Sequence, residues 1–290
     1  MLDLETSLTY CTYCPKLCRH ACPVSTVEAR ETVIPQAKMA TMRQLRLAEV
    51  ESTVENAEPL YACSGCGACS EACKHHITPG LHLFTGRAEA EHLGHGHPSL
   101  KALPDRVRAH SQSAALAVRD LVSHDRFPPE GALALMAGCD DPGGAVTALA
   151  VCDRIGEPAG MAALTLGCGG YPLLAGGFDD AFRLHAETVA RQLQGYAKVA
   201  VACPACAYAM KVAYPAHGVP LAPEIVHTTE LFAGLIDRLA PEPGERGAAF
   251  YHDPCYLGRW MGVYEAPRLL LAKAGVTVRE FSRARAESEC

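Results

Sequence analysis

The chain has 290 residues, with 26 Lys+Arg against 32 Asp+Glu and a formal charge of −6, and this acidic balance excludes the basic footprint of a general nucleic-acid binder. Apolar residues make up 49% and charged residues 20%, which is globular rather than disordered or fibrous composition. No apolar run approaches the roughly 18 residues of a membrane span. The opening MLDLETSLTY has neither the basic start nor the apolar stretch of a secretion signal, so the chain is expected to be cytoplasmic, reaching a membrane face only through a partner. The feature that needs explaining is 15 cysteines. An odd count in a chain of this length, expected in a reducing compartment, points to metal binding or redox chemistry rather than disulfide staples.

Eight of the cysteines fall within residues 11–73, none between 74 and 138, and seven from 139 onward. The first run is Cys11-x2-Cys14-x3-Cys18-x3-Cys22-Pro23. Forty residues later comes Cys63-x2-Cys66-x2-Cys69-x3-Cys73, the spacing of a bacterial ferredoxin half-motif, whose fourth cysteine serves the other cluster. Three thiolates on one curled loop can each meet a different iron of a cubane, and the fourth starts a segment leading away. Gly65 and Gly67 suit a loop that must turn tightly. The first run departs by one x3 in place of x2, and the second by Lys74 where a proline usually follows. Cross-ligation assigns Cys11, Cys14, Cys18 and Cys73 to one [4Fe–4S] cluster, and Cys63, Cys66, Cys69 and Cys22 to a second. Structural zinc typically uses two separated Cys pairs, a pattern that two runs of four fit poorly.

Between the runs, Pro35 to Leu47 reads as a helix, with Met39, Met42, Leu45 and Ala48 at helical spacing. A second helical stretch follows to Glu58, ended by Pro59. The acidic residues Glu49, Glu51, Glu55 and Glu58 read as a solvated face, with partner docking as the alternative. Residues 74–130 hold no cysteine but eight histidines. His95-Gly96-His97-Pro98 lacks the frame and acidic partners of a metal site. Ala114 to Val122 is a short predicted helix, and Phe127-Pro128-Pro129 marks entry to the next region.

From Ala132 strands and helices alternate. Ala132–Ala137 is a predicted strand ending near Cys139, Ala145–Ile155 a helix, and Met161–Leu166 a strand leading to Gly167-Cys168-Gly169-Gly170. Asp179–Leu193 is a helix and Val199–Ala202 a strand leading to Cys203-Pro204-Ala205-Cys206, with a helix to about Val212. This alternation predicts α/β organisation with a mainly parallel sheet. Cys139, Cys168 and Cys203 would then lie at one sheet edge, where such folds place ligands. With Cys206 they suffice for a third iron–sulfur cluster or one zinc. Cys152, inside a helix with no motif around it, reads as core. The pattern begins again with strand Ala248–Tyr251 before His252-Asp253-Pro254-Cys255, helix Glu265–Ala274 and strand Val276–Phe281 before Cys290. A second, incomplete copy of the same unit is therefore expected.

Two ferredoxin-type runs followed by this Cys…Cys-Gly…Cys-Pro-x-Cys pattern resemble the iron–sulfur oxidoreductases with cysteine-rich CCG domains. That family includes the iron–sulfur subunit of glycolate oxidase, the C subunit of anaerobic glycerol-3-phosphate dehydrogenase and the D subunit of heterodisulfide reductase. The resemblance implies two [4Fe–4S] clusters on the eight N-terminal cysteines and a further metal site on Cys139, Cys168, Cys203 and Cys206. Cys255 and Cys290 would open a second such site. His227-Thr228-Thr229-Glu230-Leu231 is similar to the family's helix start between copies. The family often has a Cys-Cys pair where this chain has Gly167-Cys168.

The expected fold class is α+β overall: a mostly helical two-cluster ferredoxin-like domain at 1–84, a helical connector at 85–130, an α/β CCG domain at 131–245 and the start of a second repeat at 246–290. The expected function is an iron–sulfur electron-transfer subunit that relays single electrons from a flavin-dependent dehydrogenase to a quinone or another carrier. No Rossmann fingerprint, flavin signature or P-loop stands out, so the flavin is expected in a partner. The alternatives are a heterodisulfide- or thiol-type reductase acting at the CCG cysteines, and a zinc-stabilised interaction protein.

Overall fold

The computed structural model describes residues 2–240, 244 and 246–289, so Cys290 lies outside the described residues. They fall into two compact units, one from 2–104, 172–179 and 283–289 and the other from the described residues of 105–171 and 180–282.

The first unit is helical. Helix α1 (Leu4–Tyr13) starts where Asp3 accepts the Thr6 N–H at 2.9 Å, an N-cap that satisfies one of the orphan donors of the first turn. It is followed by α2 (Pro23–Glu28), α3 (Pro35–Arg46), α4 (Val54–Tyr61), α5 (Ala68–Glu71) and α6 (Pro79–His92). Met39 and Met42 of α3 meet Leu8, Leu60 and Leu83 in a buried core, and Cys63 and Cys73 pack against its margin. The cysteine-bearing loops are thus backed by apolar packing rather than by a sheet.

Pro59 does not end α4 as its backbone chemistry suggests; it sits inside the helix. Only the bond to the Glu55 carbonyl is forfeited this close to the C-terminus, and Leu60, 1% exposed in the core, holds the last turn. α6 continues through residue 84 without a break, and its Gly86 lies where an added Cβ would meet the Met42 side chain at 3.0 Å. Close packing on α3 explains a glycine that discourages a helix reading from sequence.

The second unit begins with α7 (Leu103–Leu121), considerably longer than the predicted Ala114–Val122 stretch. Next come β1 (Gly131–Met136), α8 (Pro142–Ile155), β2 (Gly160–Met161), α9 (Tyr171–Gly176), whose residues from 172 belong to the first unit, α10 (Asp179–Gln192) and β3 (Tyr196–Val201). Then follow α11 (Pro204–Tyr208), a π-helical turn at Ala209–Ala213, α12 (Tyr214–Ala216), β4 (Glu224–His227) and α13 (Thr228–Gly234). The four strands form one parallel sheet in the order β2-β1-β3-β4. The chain leaves β1 toward β2 on one side and returns to β3 on the other. The carboxyl ends of β1 and β3 therefore flank a topological switch point, the place where open α/β sheets bind ligands. Leu133, Leu135, Leu149, Met161 and Ala200 form the core beneath, and Cys152 lies fully buried among them.

Two further elements differ from the sequence expectation. The strand predicted at Met161–Leu166 is only the two residues of β2, extended by one bond from Ala162 N–H to the Leu135 carbonyl at 2.9 Å. The chain then leaves the sheet, and Gly167 N–H bonds the Ser111 carbonyl of α7 at 2.8 Å. Cys168 accordingly does not directly follow a strand; it rides a loop tied to α7. The helix predicted to about Val212 passes into the π-turn after Tyr208, a local widening often found at functional sites.

A separate parallel pair, β5 (Ala248–Tyr251) and β6 (Thr277–Glu280), is joined through α14 (Glu265–Lys273). It is held by Arg268, which donates to both carboxylate oxygens of Asp253 at 2.7 and 2.8 Å and to Glu280 at 2.6 and 2.8 Å. The Asp253 side chain is 1% exposed and that of Arg268 9%, so Asp253 is a structural anchor. No helix among the described residues is long and apolar enough to cross a membrane.

Candidate iron–sulfur sites

In the first unit the eight cysteines gather around two pockets. Cys11 lies on α1 and Cys14 at its C-cap, while Cys18 sits in the turn before a short 3-10 segment. With Cys73 they line one pocket, which Ile77 backs from the buried side. Cys22 precedes Pro23, the first residue of α2. It joins Cys63, Cys66 and Cys69 around a second pocket. Pro79, at the first turn of α6, lines both pockets, as does Cys69.

The loop between α4 and α5 can curl because Gly65 and Gly67 adopt φ of 69° and 76°, conformations that cost a side-chain-bearing residue energy. Gly65 N–H donates to the Cys63 sulfur at 3.4 Å, and the Lys38 ammonium lies 3.7 Å from the Cys22 sulfur. Cys11, Cys22, Cys66 and Cys69 are buried and their partners half-buried. Burial, with help from the neighbouring sulfurs, pushes the Cys11 thiol up to about 12 and the Cys18 thiol up to about 11; burial also raises Cys69 well above its ordinary value. Four thiolates crowded into a low dielectric repel one another and lack water. Such a donor set fits a soft, positively charged inorganic centre that neutralises it; Cys69 lines both pockets, and the ferredoxin spacing counts it with Cys22, Cys63 and Cys66.

In the second unit Cys139, Cys168, Cys203 and Cys206 come together at the switch point. Cys139 follows β1 and Cys203 follows β3, and an added Cβ at Gly138 would meet the Cys203 Cβ at 3.2 Å. Cys203 also N-caps α11, which carries Cys206. Gly169 N–H donates to the Cys206 sulfur at 3.1 Å and Gly170 N–H to the Cys168 sulfur at 3.4 Å. Sulfur–sulfur hydrogen bonds from Cys139 and from Cys206 hold the Cys168 thiol far below its usual range, and the same bonds raise those two donors. Hydrogen bonding to Cys206 likewise lowers Cys203. Four converging sulfurs with backbone donors aimed at them fit a thiolate-bound metal centre.

The Cys168 loop is fixed from several sides. A Cβ on Gly169 would lie 2.9 Å from the Cys206 Cα, so only glycine permits this approach. The Tyr214 hydroxyl donates to the Gly169 carbonyl at 3.1 Å, and His185 Nε2 lies 2.7 Å from the Cys168 carbonyl oxygen. Beside the thiols, His227 caps α13: its backbone N–H donates to Glu230 at 2.8 Å, and its Nε2 lies 3.0 Å from the carbonyl of Ala202. That carbonyl requires a proton on Nε2, so Nδ1 accepts the Thr229 N–H. The helix start at His227–Leu231 thus orients the residue before Cys203.

Other residues fall elsewhere. Burial raises Cys152 to about 11, which makes it an inert core thiol. Cys255 lies in the β5–β6 segment and is half-buried. His95 and His97 are engaged by Ser52 and Ser99, each at 2.8 Å. Sequence spacing gave no sign of His110 on α7, which the fold brings within 4.8 Å of Cys139 and Asp140, nor of Lys38, His185 and Tyr214.

A family of 4Fe–4S dicluster domains matches residues 7–77. The relatives that the chain resembles are iron–sulfur oxidoreductase components. It is similar to the D subunit of the dihydromethanophenazine:CoB–CoM heterodisulfide reductase of Methanosarcina barkeri, 26% identical over 280 residues that cover 88% of this chain and 66% of that protein. It is also similar to the B subunit of the fumarate reductase (CoM/CoB) of Methanothermobacter marburgensis, 28% identical over 227 residues, 74% of this chain and 44% of that one. The EtfAB:quinone oxidoreductase of Syntrophomonas wolfei is 38% identical over 98 residues, 33% of this chain and 13% of its own length. The chain thus spans at most 66% of these relatives. No solved structure matches it.

Proposed function

We propose that this chain is an electron-transfer subunit of an iron–sulfur oxidoreductase, taking electrons from a flavin-dependent dehydrogenase and passing them singly toward a quinone or another carrier. The observation that carries the reading is the gathering of eight cysteines into two four-sulfur pockets within the dicluster region. Cys11, Cys14, Cys18 and Cys73 hold one [4Fe–4S] cluster, and Cys22, Cys63, Cys66 and Cys69 hold the other. When bound, each cluster supplies one-electron redox chemistry. The chain supplies the rest: buried Ile77 and Pro79 exclude water, Gly65 N–H hydrogen-bonds a ligand sulfur, and burial sets the potentials. Relatives named as a quinone oxidoreductase and as components of fumarate and heterodisulfide reductases support a role within a larger assembly.

Cys139, Cys168, Cys203 and Cys206 hold a third metal centre, an iron–sulfur cluster or zinc. Anaerobic titration with dithionite is expected to reduce the protein in one-electron steps, and a water-soluble quinone to reoxidise it. An iron-loaded protein that neither reductant nor quinone can cycle contradicts the proposal.

A second reading places disulfide reduction at the same four thiols. It is favoured by their convergence and by the alignment over 88% of this chain with a component of a heterodisulfide reductase. In that case Cys203→Ser abolishes reduction of a thiol-derived disulfide and leaves quinone-linked cycling of the N-terminal clusters intact. Absence of any disulfide turnover by the wild-type protein rejects it.

A further inference from the structure

Lys38 is the fourth residue of α3 and is 1% exposed, one of the largest fully buried side chains in the chain. Burying an ammonium without an opposite charge is strongly unfavourable. The other basic residues of α3 meet carboxylates: Arg43 pairs with Glu49, and Arg46 with Glu5 and Glu89. Among the described residues no carboxylate pairs with Lys38, and its Nζ contact is the Cys22 sulfur at 3.7 Å. Lys38 lines the pocket of Cys22, Cys63, Cys66 and Cys69, whose remaining walls are apolar or small, such as Pro23, Pro79, Gly80 and Leu83. The other four-sulfur pocket has Lys74 and His75 on its rim, and both are exposed.

We propose that Lys38 is a redox-tuning cation that makes the cluster held by Cys22, Cys63, Cys66 and Cys69 the more readily reduced of the two. The inference rests on the ligand assignment proposed above. Reduction adds one electron to a centre already made electron-rich by four thiolates. A fixed positive charge beside a ligand sulfur stabilises the reduced state more than the oxidised one. Inside a buried pocket this attraction is strong, whereas Lys74 and His75 act through water and salt. The two clusters share Cys69 as a wall, and two buried cations, Lys38 at the Cys22 sulfur and Arg87 at the Cys63 carbonyl, lie on the same side, so an electron arriving at either cluster settles there. Lys38 touches a ligand sulfur without replacing one, which makes it a positioning and tuning residue.

The test is an EPR-monitored redox titration of the full chain. Cys66→Ser first identifies which signal belongs to the Lys38-side cluster. In Lys38→Met that same signal is expected to need a more reducing poise. At the wild-type midpoint its reduced-to-oxidised ratio should fall about tenfold, equivalent to about 59 mV for a one-electron couple. The other signal stays in place, and Lys38→Arg retains the wild-type order. If Lys38→Met moves neither signal, or both equally, the tuning role is overturned. If Cys66→Ser removes neither signal, the ligand assignment fails and takes the tuning role with it. Should Lys38→Met not assemble that cluster, Lys38→Gln is the second neutral variant. Loss of four irons in both, with full retention in Lys38→Arg, supports charge compensation; loss in all three makes Lys38 a packing residue and overturns the proposal.

Discussion

The two units gather cysteines by different physical means. In the first, most of each four-sulfur set comes from one short run, and a curled loop backed by the α1–α3–α4–α6 core brings the sulfurs together. In the second, Cys139, Cys168 and Cys203 are separated by 29 and 35 residues; Cys139 and Cys203 meet because parallel strands end at one sheet edge, and Cys168 joins them on a loop tied to α7. Local spacing encodes the first kind of site directly. The second kind exists only once the sheet has formed, so its integrity is tied to folding of the whole α/β unit.

This contrast predicts different failures. The largest effect is expected from Cys66→Ser: about half of the N-terminal iron and one of two low-potential EPR signals are lost, while metal bound by the second unit is unchanged. Loss of metal from both units would break the comparison. Arg268→Ala in the β5–β6 segment removes the guanidinium that pairs with the buried Asp253 carboxylate, and should destabilise that segment by about 3–5 kcal/mol in chemical denaturation, with both N-terminal signals retained. Gly169→Ala forces a Cβ against the Cys206 backbone. It should cost about 1–3 kcal/mol and weaken metal binding at Cys139, Cys168, Cys203 and Cys206 without touching the dicluster spectrum; a normal metal content in the second unit would show that the close approach is dispensable.

The smallest effect is a pH dependence. Burial lowers the His227 pKa, so the folded unit binds fewer protons than the unfolded chain just below the ordinary histidine value of about 6.5. Stability contributed by neutral His227 is present above that value and is lost as pH falls toward the lowered pKa. His227→Gln should flatten this loss relative to wild type, and a parallel pH profile for the two proteins would remove His227 from the account.

How much was legible follows from the same contrast. That the x2, x2, x3 run and its partner gather around two pockets is legible because cysteine spacing along a loop is itself geometry. α3 was legible from Met39 and Met42, and β1 and β3 from their apolar runs ahead of Cys139 and Cys203. Cys168 was placed at the right edge for the wrong reason, since β2 is two residues long and the loop that carries it is tied to α7 through Gly167. β4 is too short to show periodicity between Pro223 and Thr228. Lys38 was invisible because a lysine in an amphipathic helix ordinarily reaches water, and only packing of α1, α4 and α6 around α3 decides that this one does not.

The central claim is that the eight N-terminal cysteines hold two cubanes. Iron and acid-labile sulfide in anaerobically purified protein test it most directly, read beside EPR of the reduced form. The account predicts a brown protein with about eight iron and eight sulfide from the N-terminal unit and two low-potential signals, one of them removed by Cys66→Ser. A colourless protein carrying stoichiometric zinc and no sulfide would contradict it.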